Sequence, residues 1–154
     1  MLDTTVCFLL RGHPPHSLLL GLKKTGFGVG KYTGIGGKVE PGEAPADAAR
    51  RELAEETGVI VAPAALRAAG RVRFRFPGRP EWHHTMHIFT AARWHGEPTE
   101  GREVAPAWFA VTALPFDRMW DDARFWLPRV LAGELVDALC VFAGDNETVA
   151  HYSP

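Results

Sequence analysis

The sequence predicts a mixed α/β (α+β) fold in one domain that spans residues 1–154, and three observations support this. The length of 154 residues suits a single domain. Hydrophobic residues make up 46% of the chain, so a sizeable core is expected. The elements that the pattern indicates run as strands, a helix, strands, a second helix and strands. This order is mixed and differs from a regular βαβ repeat.

Two strands and a loop are predicted before the first helix. Residues 5–10 form a short β-prone run, and residues 17–22 form a second one. The segment 13–15 (His-Pro-Pro) separates them, so the two runs are expected to pair as a hairpin. Residues 24–37 are rich in glycine and are predicted to be mostly loop.

The clearest helix is predicted over residues 46–57. Pro45 suits its first turn, where a missing N–H removes no hydrogen bond. Ala49 and Leu53 lie at helical spacing and give a narrow apolar face. Gly58 suits the position just past the helix end, where a positive φ is favoured.

Strands and one more helix are predicted after residue 58. The expected strands cover 71–76, 84–91, 106–111, 136–142 and 148–152. Asp121 or Asp122 is a candidate N-cap for a helix that runs to about Leu131. Pro128 falls inside that helix and is expected to kink or shorten it.

Composition argues against several kinds of partner. The net charge is −1, so there is no basic excess for duplex nucleic acid, although a small anionic ligand remains compatible. No signal segment and no membrane-spanning run is recognised. Cys7 and Cys140 lack metal spacing and are expected to be buried apolar residues of a cytoplasmic protein. Monomer and homodimer both stay open.

Three histidines at positions 83, 84 and 87 resemble a metal cluster at first sight. In a strand, however, neighbouring side chains point to opposite faces. His83 and His87 would then share a face but lie about 13 Å apart, at about 3.3 Å per residue. They are therefore not expected to bind one zinc ion.

An acidic triangle lies on the predicted helix 46–57. Glu52, Glu55 and Glu56 are three and four residues apart, so they share one helix face and repel one another. One interpretation is a solvated acidic face. The other is a site for a hard cation such as Mg²⁺, which prefers oxygen ligands. The residues alone leave both interpretations open.

The segment 37–59 resembles the Nudix box of the Nudix hydrolase family. The matching fixed positions are Gly37, Glu43, Arg51, Glu52, Leu53, Glu55, Glu56, Gly58 and Val59. The resemblance implies the Nudix fold, a mixed sheet sandwiched between helices. It also implies hydrolysis of a nucleoside diphosphate linked to another group, with Mg²⁺ as the cofactor, or Mn²⁺ in its place. The implied partner is a small nucleotide.

The resemblance also implies roles for individual residues. The implied metal ligands are the Gly36 carbonyl, Glu52, Glu55, Glu56 and Glu103. The four glutamates among them are also the candidate general bases. Glu103 is equally compatible with a solvated turn. Glu43 and Arg51 resemble the structural ion pair of the box, which braces a loop against the helix.

Segments 20–28, 115–120 and 125–128 resemble the MutT-type members of the family that hydrolyse oxidised purine nucleoside triphosphates to the monophosphate and pyrophosphate, which cleanses the nucleotide pool. The substrate-binding residues implied by position are Lys23, Phe27, Thr33, Gly37, Lys38, Phe74, Trp120 and Asp122. Aromatic planes of this kind stack on purines. Plainer interpretations are a core tryptophan at 120, a solvated lysine at 23 and an N-cap at 122.

Two departures leave the preferred base open. Thr33 stands where these members have Asn, and it offers a single hydroxyl group to a purine edge. Ala123 stands where they have a second aspartate. Alternatives are therefore a Nudix hydrolase of ADP-ribose, a dinucleoside polyphosphate, capped RNA or a damaged pyrimidine triphosphate. A non-catalytic Nudix module that senses a nucleotide, and an acidic helix with only a structural role, are the remaining alternatives.

Overall fold

A computed structural model describes residues 2–154, which form nine strands and two α-helices. The strands are β1 (Leu2–Arg11), β2 (Ser17–Lys23), β3 (Tyr32–Thr33), β4 (Ile35–Lys38), β5 (Leu66–Arg75), β6 (His84–Ala91), β7 (Val104–Ala110), β8 (Val136–Phe142) and β9 (Val149–Ser153). The helices are α1 (Pro45–Thr57) and α2 (Ala123–Leu131). The predicted order of strands and helices is confirmed.

All nine strands belong to one mixed sheet in the order β3-β2-β1-β6-β5-β8-β9, with β4 paired to β1 and β7 to β2. The pairs β1–β6 and β5–β8 are parallel, whereas the other pairs are antiparallel. The predicted hairpin between β1 and β2 is present but short, with only two residue pairs. Most of β1 instead pairs with β6, which is distant in sequence.

The sheet lies between the two helices, as the resemblance implied. Successive residues of a strand point to opposite faces. In β1, Cys7 and Leu9 face the hydrophobic cluster that includes Leu53 of α1. Val6 and Phe8 face the other cluster, which includes the buried residues of α2. Alternation along one strand therefore supplies both cores.

The predicted start of one strand was wrong for a local reason. β5 begins at Leu66 rather than at residue 71, and a bulge between Ala68 and Gly70 interrupts its pairing with β6. Such an insertion breaks the alternation that identifies a strand in the sequence. The stretch 24–37 is mostly loop, as predicted, although it also contains β3 and the start of β4.

The predicted position of α2, after Asp122 and up to Leu131, is confirmed, but the side-chain capping bond is absent. Asp122 lies at the N-cap position with helical φ and ψ, and neither it nor Asp121 makes a side-chain capping bond. The Asp122 carboxylate instead accepts the Trp126 Nε1–H at 2.6 Å, and Asp121 accepts from Arg124 at 2.9 Å. Pro128 lies inside the helix, which has nine residues.

The geometry assumed for the histidines was wrong in one respect, because His83 does not lie in the strand with His87. β6 begins at His84, so His83 lies outside the strand, where its Nδ1 accepts the Phe76 N–H at 2.9 Å. The His87 Nε2 lies 3.0 Å from Asp3 Oδ1. Cys7 and Cys140 are buried free thiols. Among the described residues, no helix has the length and apolar character needed to cross a bilayer.

Candidate active site

Helix α1 is fixed at both ends by local signals. Pro45 occupies its first turn, and Gly58 ends it with a left-handed φ of 78°. On its buried side the helix places Glu56 and Thr57 beside the small apolar residues that the sequence indicated. The acidic face of α1 is therefore partly buried. This observation argues against the interpretation of a fully solvated acidic face.

Arg51 organises the acidic residues around α1. It forms a bidentate pair with Glu43, at 2.8 and 3.0 Å, and donates to Lys38 O at 3.1 Å. Its Nη1 also contacts Glu52 at 2.9 Å and Glu55 at 3.2 Å. The hydrogen bond from Arg51 lowers the pKa of Glu43. The loop before α1 is thus tied to the helix through one guanidinium group.

Glu52 lies against the backbone of Gly37. A Cβ atom on Gly37 would lie 2.7 Å from the Glu52 Cδ, so only glycine allows this approach. Gly36, the other implied site residue here, pairs with Val6 of β1. Burial raises the pKa of Glu52, Arg51 opposes the shift, and the charges of Glu55 and Glu103 add to it.

Glu56 is the most perturbed carboxylate of the helix. It is 8% exposed, and its Oε2 is buried without a hydrogen-bond donor among the described residues. Burial first, then the charges of Glu52 and Glu103, raise its pKa to about 8, while Lys23 opposes the shift. Because both carboxyl groups are acceptors when ionised, Glu103 is a hydrogen-bond partner only if one of the two holds a proton.

The loop before β7 brings Glu103 to α1. A cavity of about 260 Å³ is lined by Glu55, Glu56, Arg102 and Glu103. Lys24 holds this loop near the end of β2, with Nζ 2.6 Å from Glu100 and 3.0 Å from the carbonyl oxygen of the next residue. The pairing of the strands thus brings Glu103 close to Glu56, although the two residues are about fifty positions apart in the sequence.

The acidic cluster has the chemistry of a hard-cation site. Its donors are carboxylate oxygens, which repel one another and include the undonated Glu56 Oε2. Within residues 2–154, however, no three His, Cys, Asp or Glu side chains lie in a ready metal-binding arrangement. Glu55 is 59% exposed and lies on Arg51. The carboxylates of the acidic cluster fit a divalent cation once the Glu55 side chain rotates away from Arg51.

A second cluster near the acidic one is aromatic. Phe27, which is 45% exposed, stacks on Trp120 with centroids 4.9 Å apart and planes 22° from parallel. Trp82 meets the edge of Phe27 at 4.9 Å. Phe76 and Phe142 stack on each other at 4.5 Å and contact Trp120 edge-on. Phe27, Trp82 and Trp120 offer flat apolar surface to a planar ligand, whereas Phe76 and Phe142 are buried and support them from below.

A family model for the NUDIX domain matches residues 2–130. The chain belongs to the Nudix hydrolase family. Enzymes of this Nudix family generally use divalent metals, which agrees with the oxygen-rich cluster on α1.

Relatives of this Nudix chain cover most of its length. It is 42% identical to the oxidised purine nucleoside triphosphate hydrolase of Mus musculus over 139 residues, which is 90% of this chain and 86% of that protein. Identity to the protein of the same name from Danio rerio is 42% over 137 residues, 89% of this chain and 86% of the relative. The fold is similar to a MutT protein from Bacillus halodurans, with a TM-score of 0.81, 21% identity and coverage of 99% and 96%.

The structure separates the implied substrate residues of the Nudix site into groups. Lys23 lies by the acidic cluster, where its charge acts on Glu56. Phe27 and Trp120 form the aromatic stack, and the implied partner Phe74 is buried behind it, against His84 at 4.8 Å.

The other implied residues differ widely in exposure, and two of them already make contacts of their own. The Thr33 hydroxyl donates to Gly34 O at 3.1 Å, and Lys38 is exposed. Asp122 is only 4% exposed, and burial raises its pKa to about 6.

Four members of the aromatic site were missed by sequence reasoning: Lys31, Phe76, Trp82 and Phe142. Alternation in β5 does continue to Phe76, so this signal was available. Trp82 lies in a short 3₁₀ turn, Pro80–Trp82, which no periodicity marks. The Lys31 Nζ lies 5.0 Å from the Trp120 ring centroid, a contact that depends on how two loops meet.

Proposed function

We propose that this Nudix chain hydrolyses purine nucleoside triphosphates to the monophosphate and pyrophosphate with Mg²⁺, and so cleanses the cytoplasmic nucleotide pool. The supporting observation is that one segment, 23–31, connects the two clusters. Lys23 at its start acts on Glu56, and Phe27 and Lys31 further along contact Trp120. A triphosphate with a purine base has matching parts, an anionic end and a flat end. The 42% identical relative from Mus musculus acts, by its name, on oxidised purine nucleoside triphosphates.

The acidic cluster is proposed to hold the cation and to accept a proton. Glu52, Glu55, Glu56 and Glu103, with the Gly36 carbonyl, are the proposed ligands. A divalent cation in this place lowers the pKa of bound water and draws negative charge from the phosphates. The same four carboxylates are the candidates to take the proton of the attacking water. Lys23, whose charge acts on Glu56, is proposed to neutralise phosphate charge.

The aromatic cluster is proposed to bind the base. Stacking on Phe27 or Trp120 contributes about 1–3 kcal/mol per base without selecting one base strongly. Thr33, Phe74 and Asp122 are then proposed to read the base edge, and Gly37 and Lys38 to contact the phosphates. Thr33 supplies one hydroxyl group, which supports a purine substrate more than a strict choice of one oxidised base.

A substrate panel tests the proposal. The purified chain with Mg²⁺ is incubated with 8-oxo-dGTP, 2-hydroxy-dATP, dGTP, dATP, ADP-ribose and diadenosine polyphosphate, and products are separated by chromatography. The expected result is conversion of at least one purine triphosphate to its monophosphate with release of pyrophosphate. Turnover of only ADP-ribose or the dinucleotide would overturn the substrate assignment. No turnover of any compound would favour a non-catalytic nucleotide sensor.

Two carboxylate variants test the acidic cluster in the same assay. Glu56→Gln and Glu55→Gln are each expected to reduce kcat by at least about 100-fold, because each removes a charged ligand near the reacting phosphate. The matched control is Glu134→Gln, an exposed residue paired with Arg129 at 3.5 Å. Full activity in both cluster variants would exclude the proposed metal ligands.

A further inference from the structure

The turn that connects β8 to β9, residues 143–148, is unusually well fixed for a surface turn. The Asp145 carboxylate accepts the backbone N–H groups of Glu147 and Thr148, both at 2.9 Å, and the Thr148 hydroxyl at 2.6 Å. Asn146 has a left-handed φ of 58°. Because the turn is held by its own side chains, it presents Glu147 in a defined place.

This turn contacts three separate loops of the aromatic site. Glu147 forms an ion pair with Lys31 of the loop before β3, at 3.1 Å. Val149, at the end of the turn, donates its N–H to Asp121 at 2.8 Å, next to Trp120. A Cβ on Gly78, in the loop after β5, would lie 3.2 Å from the Asn146 side chain. The turn therefore braces the loops that carry Phe27, Trp82 and Trp120.

Lys31 makes one ion pair and one cation–π contact through its ammonium group. Its Nζ is bound to Glu147 and also lies 5.0 Å from the centroid of the Trp120 ring. Its backbone N–H donates to Gly28 O at 3.0 Å, and the Gly30 N–H donates to Lys23 O at 2.9 Å. The Lys31 ammonium group thus contacts both the turn at 143–148 and the Trp120 indole. The backbone of Lys31 closes the end of the loop that carries Phe27.

The opposite end of the same loop has its own ion pair. Lys24 binds Glu100 at 2.6 Å and belongs to the acidic side of the site. The two lysines therefore anchor opposite ends of the loop, Lys24 to the loop before β7 and Lys31 to the turn at 143–148. A change at Lys31 should act on how the base is held and leave the acidic cluster in place.

We infer that the Lys31–Glu147 ion pair is a positioning device for the base, which holds Trp120 and the Phe27 loop in the arrangement that receives a purine. This inference rests on the proposed function, since it assigns the base of that substrate to this cluster. Lys31 is a positioning residue rather than a catalytic one, because it acts through the indole ring and the loop.

The kinetic test separates base positioning from chemistry. Lys31→Met and Glu147→Gln are each expected to raise KM for the best purine triphosphate by about threefold to tenfold, the range open to one ion pair and one cation–π contact of ordinary strength. The value of kcat should change by less than about twofold, because the acidic cluster is untouched. Lys31→Arg keeps both contacts and should restore a KM near that of the wild type.

The control is Arg71→Met, which breaks a comparable ion pair, that of Arg71 with Asp137 at 3.2 Å. Arg71 and Phe74 lie on opposite faces of β5, so this ion pair is on the side of the strand away from Phe74. The KM of this control variant should equal that of the wild type. The double variant Lys31→Met/Glu147→Gln should be no worse than the poorer single variant, because the two groups act as one unit. An unchanged KM in both single variants, or a fall in kcat alone, would overturn the inference.

A fluorescence measurement without substrate keeps the inference testable if the wild-type chain turns over no purine triphosphate, which would count against the proposed function alone. Acrylamide quenching of tryptophan fluorescence then reports the indole directly. Lys31→Met should increase quenching relative to Arg71→Met, and the increase should vanish in a Trp120→Phe background. Equal quenching of the Lys31 and Arg71 variants would overturn the inference.

Discussion

At the scale of single residues, two carboxyl groups of the described chain differ most from their ordinary chemistry. The pKa of Glu56 is raised to about 8 and that of Asp122 to about 6, in each case mainly by burial. A buried acid favours its neutral form because the charged form loses its hydration. For Glu56, neighbouring carboxylates add to the shift, which is the condition that a bound cation relieves.

The Gly37 position should tolerate no side chain without loss of activity. In Gly37→Ala, the new methyl group would lie 2.7 Å from the Glu52 Cδ, so the flexible carboxylate must move. If Glu52 has the proposed role in the reaction, a shift of about 1 Å in its carboxylate would lower the rate by up to about 100-fold. We expect kcat/KM to fall by roughly 10- to 100-fold, measured on the best substrate of the panel.

The same variant should stay folded, because the contact involves the end of a side chain and spares the backbone. Its urea unfolding midpoint should lie close to that of the wild type. A variant with wild-type kcat/KM would show that the position of Glu52 beside Gly37 has no part in the reaction.

The pH dependence of stability should reveal Asp122. Because its folded pKa of about 6 lies above the ordinary value of 3.8, the folded state binds more protons and loses stability as pH rises from about 4 to 6. Asp122→Asn removes this loss while leaving an acceptor for Trp126. The variant should gain about 2–3 kcal/mol on the wild type between pH 4 and 7, at about 1.4 kcal/mol per pKa unit.

Urea unfolding of both proteins at four pH values measures that difference. Parallel stability profiles would mean that Asp122 titrates alike in the folded and unfolded chains. Asp137→Asn, at an exposed position on β8, is the matched control for the same substitution away from the buried site.

At the scale of single elements, α1 illustrates how local signals fix a functional helix. Pro45 and Gly58 set its ends, and Leu53 anchors it to the sheet. This rigid placement is what presents Glu52 and Glu56 to the loop that carries Glu103. A site built on an anchored helix holds its geometry better than one built on loops.

The helix end at Gly58 should be sensitive to any Cβ. Its φ of 78° is left-handed, and a Cβ there would meet only the Thr99 hydroxyl at 3.8 Å, so the strain lies in the backbone. Gly58→Ala should lower the free energy of unfolding by about 1–2 kcal/mol. Gly58→Asn should lose less, since Asn adopts this conformation more readily.

Chemical unfolding of both variants measures this cost of the left-handed conformation. Gly144→Ala is the control, because its φ is not left-handed and its Cβ would meet nothing within 4 Å. It should not lower the stability. An equal loss in all three variants would point to glycine-specific effects on the unfolded chain rather than to the αL position.

At the scale of the whole molecule, the acidic cluster should couple cation binding to folding. A ligand that binds only the folded chain stabilises it by about 2.7 kcal/mol at 100 times its Kd. Adding Mg²⁺ should therefore raise the thermal unfolding midpoint, and EDTA should reverse the shift. In Glu56→Gln the shift should largely disappear, because one ligand charge is lost.

Glu134→Gln serves as the control for this experiment, since its carboxylate lies in the loop after α2 and pairs with Arg129. It should keep the full shift. If Mg²⁺ shifted the Glu56→Gln variant as much as the wild type, the cation would bind elsewhere on the chain.

The sequence by itself determined the local part of this protein. The run of strands and helices, the ends of α1, and the buried apolar character of Cys7 and Cys140 all follow from patterns within a few residues. The acidic triangle of Glu52, Glu55 and Glu56 follows from helical spacing alone. The box resemblance pointed to the family that the NUDIX match established.

Only the tertiary structure decided how deeply those residues are buried, which charges lie near them and which loops they contact. The pairing of β7 with β2 brings Glu103 beside Glu56, and the packing of separate loops places Phe27, Trp82 and Trp120 in one cluster. The same packing also set the turn at 143–148 against Lys31. A pKa depends on burial and on neighbouring charges, and a binding surface depends on which loops meet. Both are sums over long-range contacts, which periodicity along the chain does not encode.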